Sequence, residues 1–292
     1  MQTIDFHQHF WPEQLIDALA RRERPPLLRG STLEVPDEGA SEVDLGAHDL
    51  RARLALMDEH GIDVSVVSLA PTLGIASLEA DEAAALVSAY EQGILELASA
   101  SSGRIVPLAA GKDVEGFAGA CIGAPDLLEL DRGRATQFDE LERRGAFLFV
   151  HPGPGSARND RPLWWPAVVE YTAQMQAAYA AWLAEGAERW PGLRVVFAIL
   201  AGGGPFQLER LQSRGVSGRE IMHENVFFDT ASYGRRALEL CMSTFGVGQL
   251  LFGTDAPVLD PAPALDSIRG FGEAVADTLC RQNPARLLAR SS

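Results

Sequence analysis

Short, continuously apolar runs alternate along the chain with stretches whose apolar positions recur at helical spacing. Runs at 3–6, 64–69, 105–109, 120–122, 146–150, 194–200, 226–229 and 249–252 predict eight strands. Unbroken apolarity suits strands buried on both faces, as in a parallel sheet. Residues 50–60 place Leu50, Leu54 and Met57 on one helical face, and Gly61 follows as a stop signal. Segments 81–98, 137–144, 167–189, 206–214, 235–245 and 262–279 read as helices in the same way. Repeated strand–helix units predict an α/β fold, a single (β/α)8 TIM barrel over 1–292. The competing arrangement, an open doubly wound sheet, needs a phosphate-cradling glycine loop after its first strand. Phe6-His7-Gln8-His9 is not such a loop. One stretch breaks the pattern: 25–48 is rich in Pro, Gly, Ser and acidic residues. After strand one of a barrel it is either a lid or insertion over the active-site mouth, or a surface excursion.

Composition narrows the partners. With 292 residues and 47% hydrophobic content, the chain can bury roughly three quarters of its unfolded surface. A formal net charge of -15 argues against nucleic acid and anionic membranes, which need a basic footprint. A small-molecule substrate fits. Cys121, Cys241 and Cys280 are far apart, with no Cys-x-x-Cys pair; neither a disulfide framework nor a thiolate zinc site is expected, and a reduced, cytoplasmic setting is. No apolar stretch reaches membrane-spanning length, and the first strand begins too early to leave room for a secretory leader.

Candidate chemistry lies at the strand ends. His7 and His9 leave strand one two residues apart, on the same side. Paired imidazoles on one rigid element suit a divalent metal, and equally describe two surface histidines. Active sites of (β/α)8 barrels gather at the C-terminal ends of the strands. There the run ending at Val150 delivers His151, and the run ending at Thr254 delivers Asp255. Three imidazoles and a carboxylate make a shell for one Zn²⁺, with Mn²⁺ as the alternative, and water completing it. His60 ends a helix, where its cation would suit the dipole, and His223 precedes a strand at the opposite barrel end.

Ile4-Asp5-Phe6-His7-Gln8-His9-Phe10, Phe149-Val150-His151-Pro152 and Leu251-Phe252-Gly253-Thr254-Asp255-Ala256-Pro257 resemble the amidohydrolase superfamily. The nearest likeness is its amidohydrolase-related group, which includes aminocarboxymuconate-semialdehyde decarboxylase. Met57-Asp58-Glu59-His60-Gly61-Ile62-Asp63, Gly202-Gly203-Gly204-Pro205-Phe206, Asn225-Val226-Phe227-Phe228-Asp229-Thr230 and Asn283-Pro284-Ala285-Arg286-Leu287-Leu288 extend the likeness over nearly the whole chain. The resemblance implies a metal-dependent barrel enzyme with His7, His9, His151 and Asp255 as ligands, and by analogy a homodimer. It also exposes a departure. The family places a histidine at the end of strand six, just before the glycine run; Ile199 stands there, and no residue within two positions can titrate, so the family's usual acid/base is missing, which counts against decarboxylation by the family's mechanism. A carboxylated lysine bridging two metals is not available either, since Lys112 is the only lysine and follows strand three.

These features lead to a metal-dependent hydrolase as the primary expectation. Asp255 would be the general base acting on a metal-bound water, with Asp229 either a substitute acid/base or a structural carboxylate. The alternatives are a non-oxidative decarboxylase of an aromatic or unsaturated acid, and a metal-binding barrel that has lost turnover. Arg53 falls where relatives carry a substrate-carboxylate arginine; it is otherwise a solvated helix residue. Trp11, Trp164 and Trp165 follow strands one and five, as an apolar wall for a ring-shaped substrate or as ordinary packing.

Overall fold

The computed structural model describes residues 1–36, 38–128, 133–156, 161–216 and 223–289. Eight parallel strands form the frame: β1 (Ile4–His9), β5 (Val64–Ser68), β6 (Ile105–Pro107), β7 (Gly119–Gly123), β8 (Phe147–His151), β9 (Arg194–Phe197), β10 (Val226–Asp229) and β11 (Leu250–Leu251). They pair in the orders β1-β5-β6 and β7-β8-β9-β10-β11. Two seams close the ring. An Ala109–Ala120 bridge joins β6 to β7, and a Gln8–Ala256 bridge joins β1 to the segment after β11. The second seam carries Phe6 N–H to Phe252 O at 2.8 Å and Asp255 N–H to His7 O at 2.8 Å. The expected (β/α)8 barrel is thus the architecture. All residues of β1, β5, β7, β8 and β10 are buried, and Phe6 packs on Phe147 with centroids 5.0 Å apart. Each buried phenylalanine contributes roughly 1.5–3 kcal/mol, which makes the wall that holds the site rigid.

Helices cover the outside. The first is α1 (Glu13–Ala20); α2 (Leu50–His60) matches the sequence expectation residue for residue, capped by Asp49 at its start and by left-handed Gly61 at its end. Then come α3 (Ala80–Ala100), α4 (Ala124–Leu127), α5 (Ala135–Arg143) and α6 (Tyr171–Ala181). The last is lengthened at both ends by π-type turns, Pro166–Glu170 and Trp182–Gly186. The helix expected over 262–279 is two: Pro261–Arg269 stops at Gly270, and a new one starts at Glu273 after Gly272, whose φ is +98°.

Three local features depart from the sequence reading. The first strand runs on through His9, so both histidines sit on it, with a register shift between Asp5 and Gln8. Residues within 25–48 form a three-stranded antiparallel sheet, β2 (Leu27–Arg29), β3 (Thr32–Val35) and β4 (Gly39–Glu42), followed by a 3-10 turn, Leu45–His48. The sixth barrel strand ends at Phe197 rather than Leu200. Beyond it Ile199, Leu200, Ala201, Gly202 and Gly203 all take positive φ, from 45° to 93°. A left-handed backbone costs an L-residue about 1–2 kcal/mol, so neighbours must impose it. Ala198 N–H is tied to Val150 O at 2.9 Å. Gln176 of α6 donates to Gly202 O at 2.6 Å, and a Cβ on Gly202 would collide with the Thr172 backbone.

Candidate metal centre

His7, His9, His151 and Asp255 converge at the C-terminal mouth, one ligand atom of each lying within 4.8 Å of all the others. They come from the first, fifth and eighth barrel strands. Asp255 holds a φ of +65°, a conformation Asp tolerates better than most residues, and its N–H bond to His7 O fixes it against strand one. Its Oδ1 lies 3.2 Å from His9 Nε2 and 3.6 Å from His7 Nε2.

The far nitrogens show that the cluster fits a cation. His7 Nδ1 lies 2.9 Å from Asp229 Oδ2, His9 Nδ1 is 3.1 Å from Ser68 O, and His151 Nδ1 is 3.0 Å from Pro152 O. A carbonyl can only accept, so Nδ1 carries the proton in His9 and His151, and each Nε2 lone pair is left facing inward. Outer groups that fix imidazole tautomers in this way are characteristic of metal sites. His7 Nε2 is buried with no hydrogen-bond partner among the described residues.

Electrostatics point the same way. Burial alone would push the His7 imidazolium pKa down; the Asp229 charge and hydrogen bond, backed by Asp255 and Asp5, outweigh it and hold it up at about 9. His151 is driven well below its usual value by burial and by the charges of His9 and His7. In the metal-free protein burial raises the Asp255 carboxyl, but a hydrogen bond from a protonated His9 and the neighbouring imidazoles, His7 foremost, outweigh it and keep it below the ordinary range. The donor set therefore suits a divalent ion, Zn²⁺ or Mn²⁺ alike.

Beneath the centre lies a polar network that no spacing announced. The fully buried Asp5 carboxylate accepts His7 N–H and Thr254 N–H, both at 3.1 Å, Gln8 Nε2 at 2.7 Å and Thr254 Oγ1 at 2.6 Å. Burial outweighs those bonds and lifts its pKa to about 6. Gly253 is required where β1 and β10 approach: a Cβ there would lie 2.9 Å from both Asp229 Oδ1 and His7 Cβ.

The remaining expected residues fall elsewhere. Asp229 stands behind His7, fully buried, its Oδ1 accepting Ala231 N–H at 2.6 Å; it positions His7 and has the structural rather than the acid/base placement. Arg53 is neither solvated nor open to an anion. It is 1% exposed and donates to Gln8 Oε1 at 2.7 Å and to His9 O and Ala47 O at 3.0 Å each, under the Phe10 ring. The expected tryptophan wall is not assembled. Trp11 is buried and stacked on His48 at 4.7 Å, whereas Trp164 is 55% exposed and pairs with Trp165, which Arg161 covers. His48, passed over in the sequence, accepts Trp11 N–H at Nδ1 at 3.1 Å. His60 lies 3.9 Å from Asp260, and His223 accepts Asn225 N–H, away from the centre.

Fold and site together define a metal-binding (β/α)8 barrel. The chain belongs to the Amidohydro_2 family of amidohydrolases, whose model matches residues 4–290. It is 26% identical over 169 residues to 2-amino-3-carboxymuconate-6-semialdehyde decarboxylase of Dictyostelium discoideum, a match covering 52% of this chain and 47% of that protein, about half the curated relative's length. Among solved structures it superposes on apo IDCase of Metarhizium anisopliae with a TM-score of 0.83 and 21% identity, covering 98% of this chain and 97% of that one. It also superposes on dihydroxybenzoic acid decarboxylase of Polaromonas sp. JS666, solved with manganese and 2-nitroresorcinol, with a TM-score of 0.71 and 18% identity over 98% and 96%. Among the described residues no helix is long and apolar enough to cross a membrane.

Proposed function

We propose that the protein is a metal-dependent, non-oxidative decarboxylase of a small aromatic or unsaturated carboxylic acid. This replaces hydrolysis, the primary expectation from the sequence. The observation that carries it is the His7, His9, His151 and Asp255 centre in a chain whose named relatives are decarboxylases; Ile199, which counted against this reading in the sequence, is 9% exposed and follows the strand that pairs with the His151 strand. Hydrolysis calls for a polar group there to stabilise developing oxyanion charge. Loss of carbon dioxide instead disperses the charge of a carboxylate, and an apolar, water-poor wall favours that change. The named relatives, decarboxylases of a carboxymuconate semialdehyde and of dihydroxybenzoic acid, support the same chemistry.

His7, His9, His151 and Asp255 would hold the ion, which when bound would anchor and polarise the acid's oxygen atoms. Asp255 keeps 18% side-chain exposure, against 0% for His7 and 6% for His9. It is the group that can exchange a proton with solvent. As the carbon–carboxyl bond breaks, its electron pair stays on the substrate carbon, and a protonated Asp255 would deliver the proton that fills that position. Arg53 and the tryptophans have no part in this reading.

The test is carbon dioxide release from hydroxybenzoates, carboxylated phenols and unsaturated semialdehyde acids by zinc- and manganese-loaded protein. Release from at least one acid, lost on metal removal, is expected. Ester or amide hydrolysis without carbon dioxide would return the hydrolase reading.

A further inference from the structure

The sheet inserted after strand one touches the loop and the helix that follow the fifth strand. In a closed ring of eight strands the first and fifth lie opposite, four places apart either way round. Glu38 sits in the turn between β3 and β4, within the insertion that follows strand one. Its Oε1 accepts Gly155 N–H and its Oε2 accepts the Tyr171 O–H, each at 2.6 Å. Gly155 and Tyr171 both follow β8, the fifth strand. A contact between those two origins has to run over the end where the four ligands converge. A second contact supports it from the side: a Cβ on Gly74, in the loop after strand two, would lie 3.3 Å from Pro36 Cγ and 3.9 Å from Pro154 Cβ. Burial, together with the charges of Glu38, Asp255 and Glu170, pushes the Tyr171 phenol above its usual range, which keeps its proton in place for Glu38.

Beyond these contacts, Val35 at the end of β3 packs against the core; the rest of the tip is open. Every residue of β4 is exposed, and Leu33 is the buried residue of β3. Leu27 and Leu28 of β2 fasten the opposite edge into the core. Three short strands of this kind are marginal without outside contacts. One edge is therefore anchored, and the far turn is held by a carboxylate.

We propose that β2–β4 form a strap over the metal centre and that Glu38 is its latch, a positioning residue whose release opens the mouth to substrate and to metal. The inference rests on the metal centre and not on the reaction assigned to it. Hydrogen exchange and the rate at which excess chelator strips zinc from the intact loaded protein test it. Glu38→Ala is expected to speed exchange of amides in 27–42 by about 10- to 100-fold, the range for losing charge-assisted hydrogen bonds. Stripping should accelerate alongside it, with exchange in β8 and β9 unchanged. Tyr171→Phe and Glu38→Gln, which each keep an acceptor for Gly155 N–H, should show smaller increases in both. Unchanged exchange in 27–42 would overturn the latch. Faster exchange with unchanged stripping would overturn the placement over the metal. A panel of acids yielding no carbon dioxide would leave both readouts standing, so failure of the decarboxylase reading is distinguishable.

Discussion

Asp229→Asn should cost the centre its metal even though Asp229 does not touch the ion. The carboxylate serves two buried donors, His7 Nδ1–H at 2.9 Å through Oδ2 and Ala231 N–H at 2.6 Å through Oδ1, and both His7 and Asp229 have fully buried side chains. Asparagine has one acceptor oxygen. If that oxygen faces His7, the amide NH₂ faces Ala231 N–H, and an unsatisfied buried donor costs about 1–3 kcal/mol of stability. If the NH₂ faces His7, the ring accepts at Nδ1 and moves its proton to Nε2, the atom that must bind the ion. Loss of such an orienting partner typically weakens metal affinity 10- to 100-fold, or about 1.4–2.7 kcal/mol. A competing effect has to be removed. In metal-free protein the His7 pKa of about 9 means that a proton competes with the metal near neutrality, and the substitution relieves part of that competition. Zinc affinity measured against a competing chelator at pH 9.5, where His7 is mostly neutral in both proteins, isolates the geometric loss. Gly253→Ala forces the same pair apart by steric contact, at 2.9 Å on each side, without changing charge, and should weaken binding in the same direction. A folded Asp229→Asn protein binding zinc within twofold of the parent would refute the reasoning.

Three further outcomes follow from the structure. Burial, with the charges of Arg53 and His9, holds the folded-state pKa of His48 down at about 3, against about 6.5 unfolded; below pH 6.5 the unfolded chain gains a proton that the folded chain refuses. Metal-free protein should therefore lose up to about 1.4 kcal/mol per pH unit from this group between pH 6.5 and 3, and His48→Gln should flatten the slope in urea unfolding at pH 5–7; the Asp5 contribution, of opposite sign, cancels in the difference. Ala201→Gly at a φ of +51° relieves about 1–2 kcal/mol of left-handed strain but gives up a fully buried methyl, about 0.8 kcal/mol, and about 0.4–1 kcal/mol of chain entropy; stability in thermal unfolding should stay within about 1 kcal/mol of the parent, and a loss well beyond that would show that the left-handed turn is unstrained. Ile199→His should lower carbon dioxide release about tenfold or more, a barrier increase of roughly 1.4 kcal/mol; an increase would instead mark a decayed strand-six histidine.

Much of the barrel was legible because its strands are buried on both faces and stay apolar throughout. The ligands were legible because a strand's period fixes His7 and His9 on one side, and because active-site residues gather at strand ends. The failures have physical causes too. Val195 through Leu200 is uniformly apolar, so nothing in the residues marks where strand six stops. The left-handed turn is imposed by α6 through Gln176 and Thr172, contacts far away in sequence. Periodicity put Arg53 on a helix but could not say that its guanidinium would be consumed by the Gln8 side chain and the His9 and Ala47 carbonyls. The sheet at 27–42 has too few buried positions to show alternation, and Glu38 reads as one more acidic residue until its two partners are seen.

The groups that orient the imidazoles and the end of strand six lie on separate parts of this barrel. The imidazoles are oriented by Asp229, by Ser68 O and by Pro152 O, groups on or just after the seventh, second and fifth strands. Asp255 is set by the seam between strands one and eight. Strand six supplies none of these contacts. Its end could therefore exchange a titratable residue for Ile199 without disturbing the groups that orient the ligands; on the proposed reading the substrate would meet an apolar side chain there. That leaves Asp255 as the titratable ligand with access to solvent. For the proposed decarboxylation a single carboxyl group with one proton to give would be enough to fill the position vacated by carbon dioxide; hydrolysis would need it to take a proton from water and stabilise an oxyanion with no second polar partner at the strand-six position.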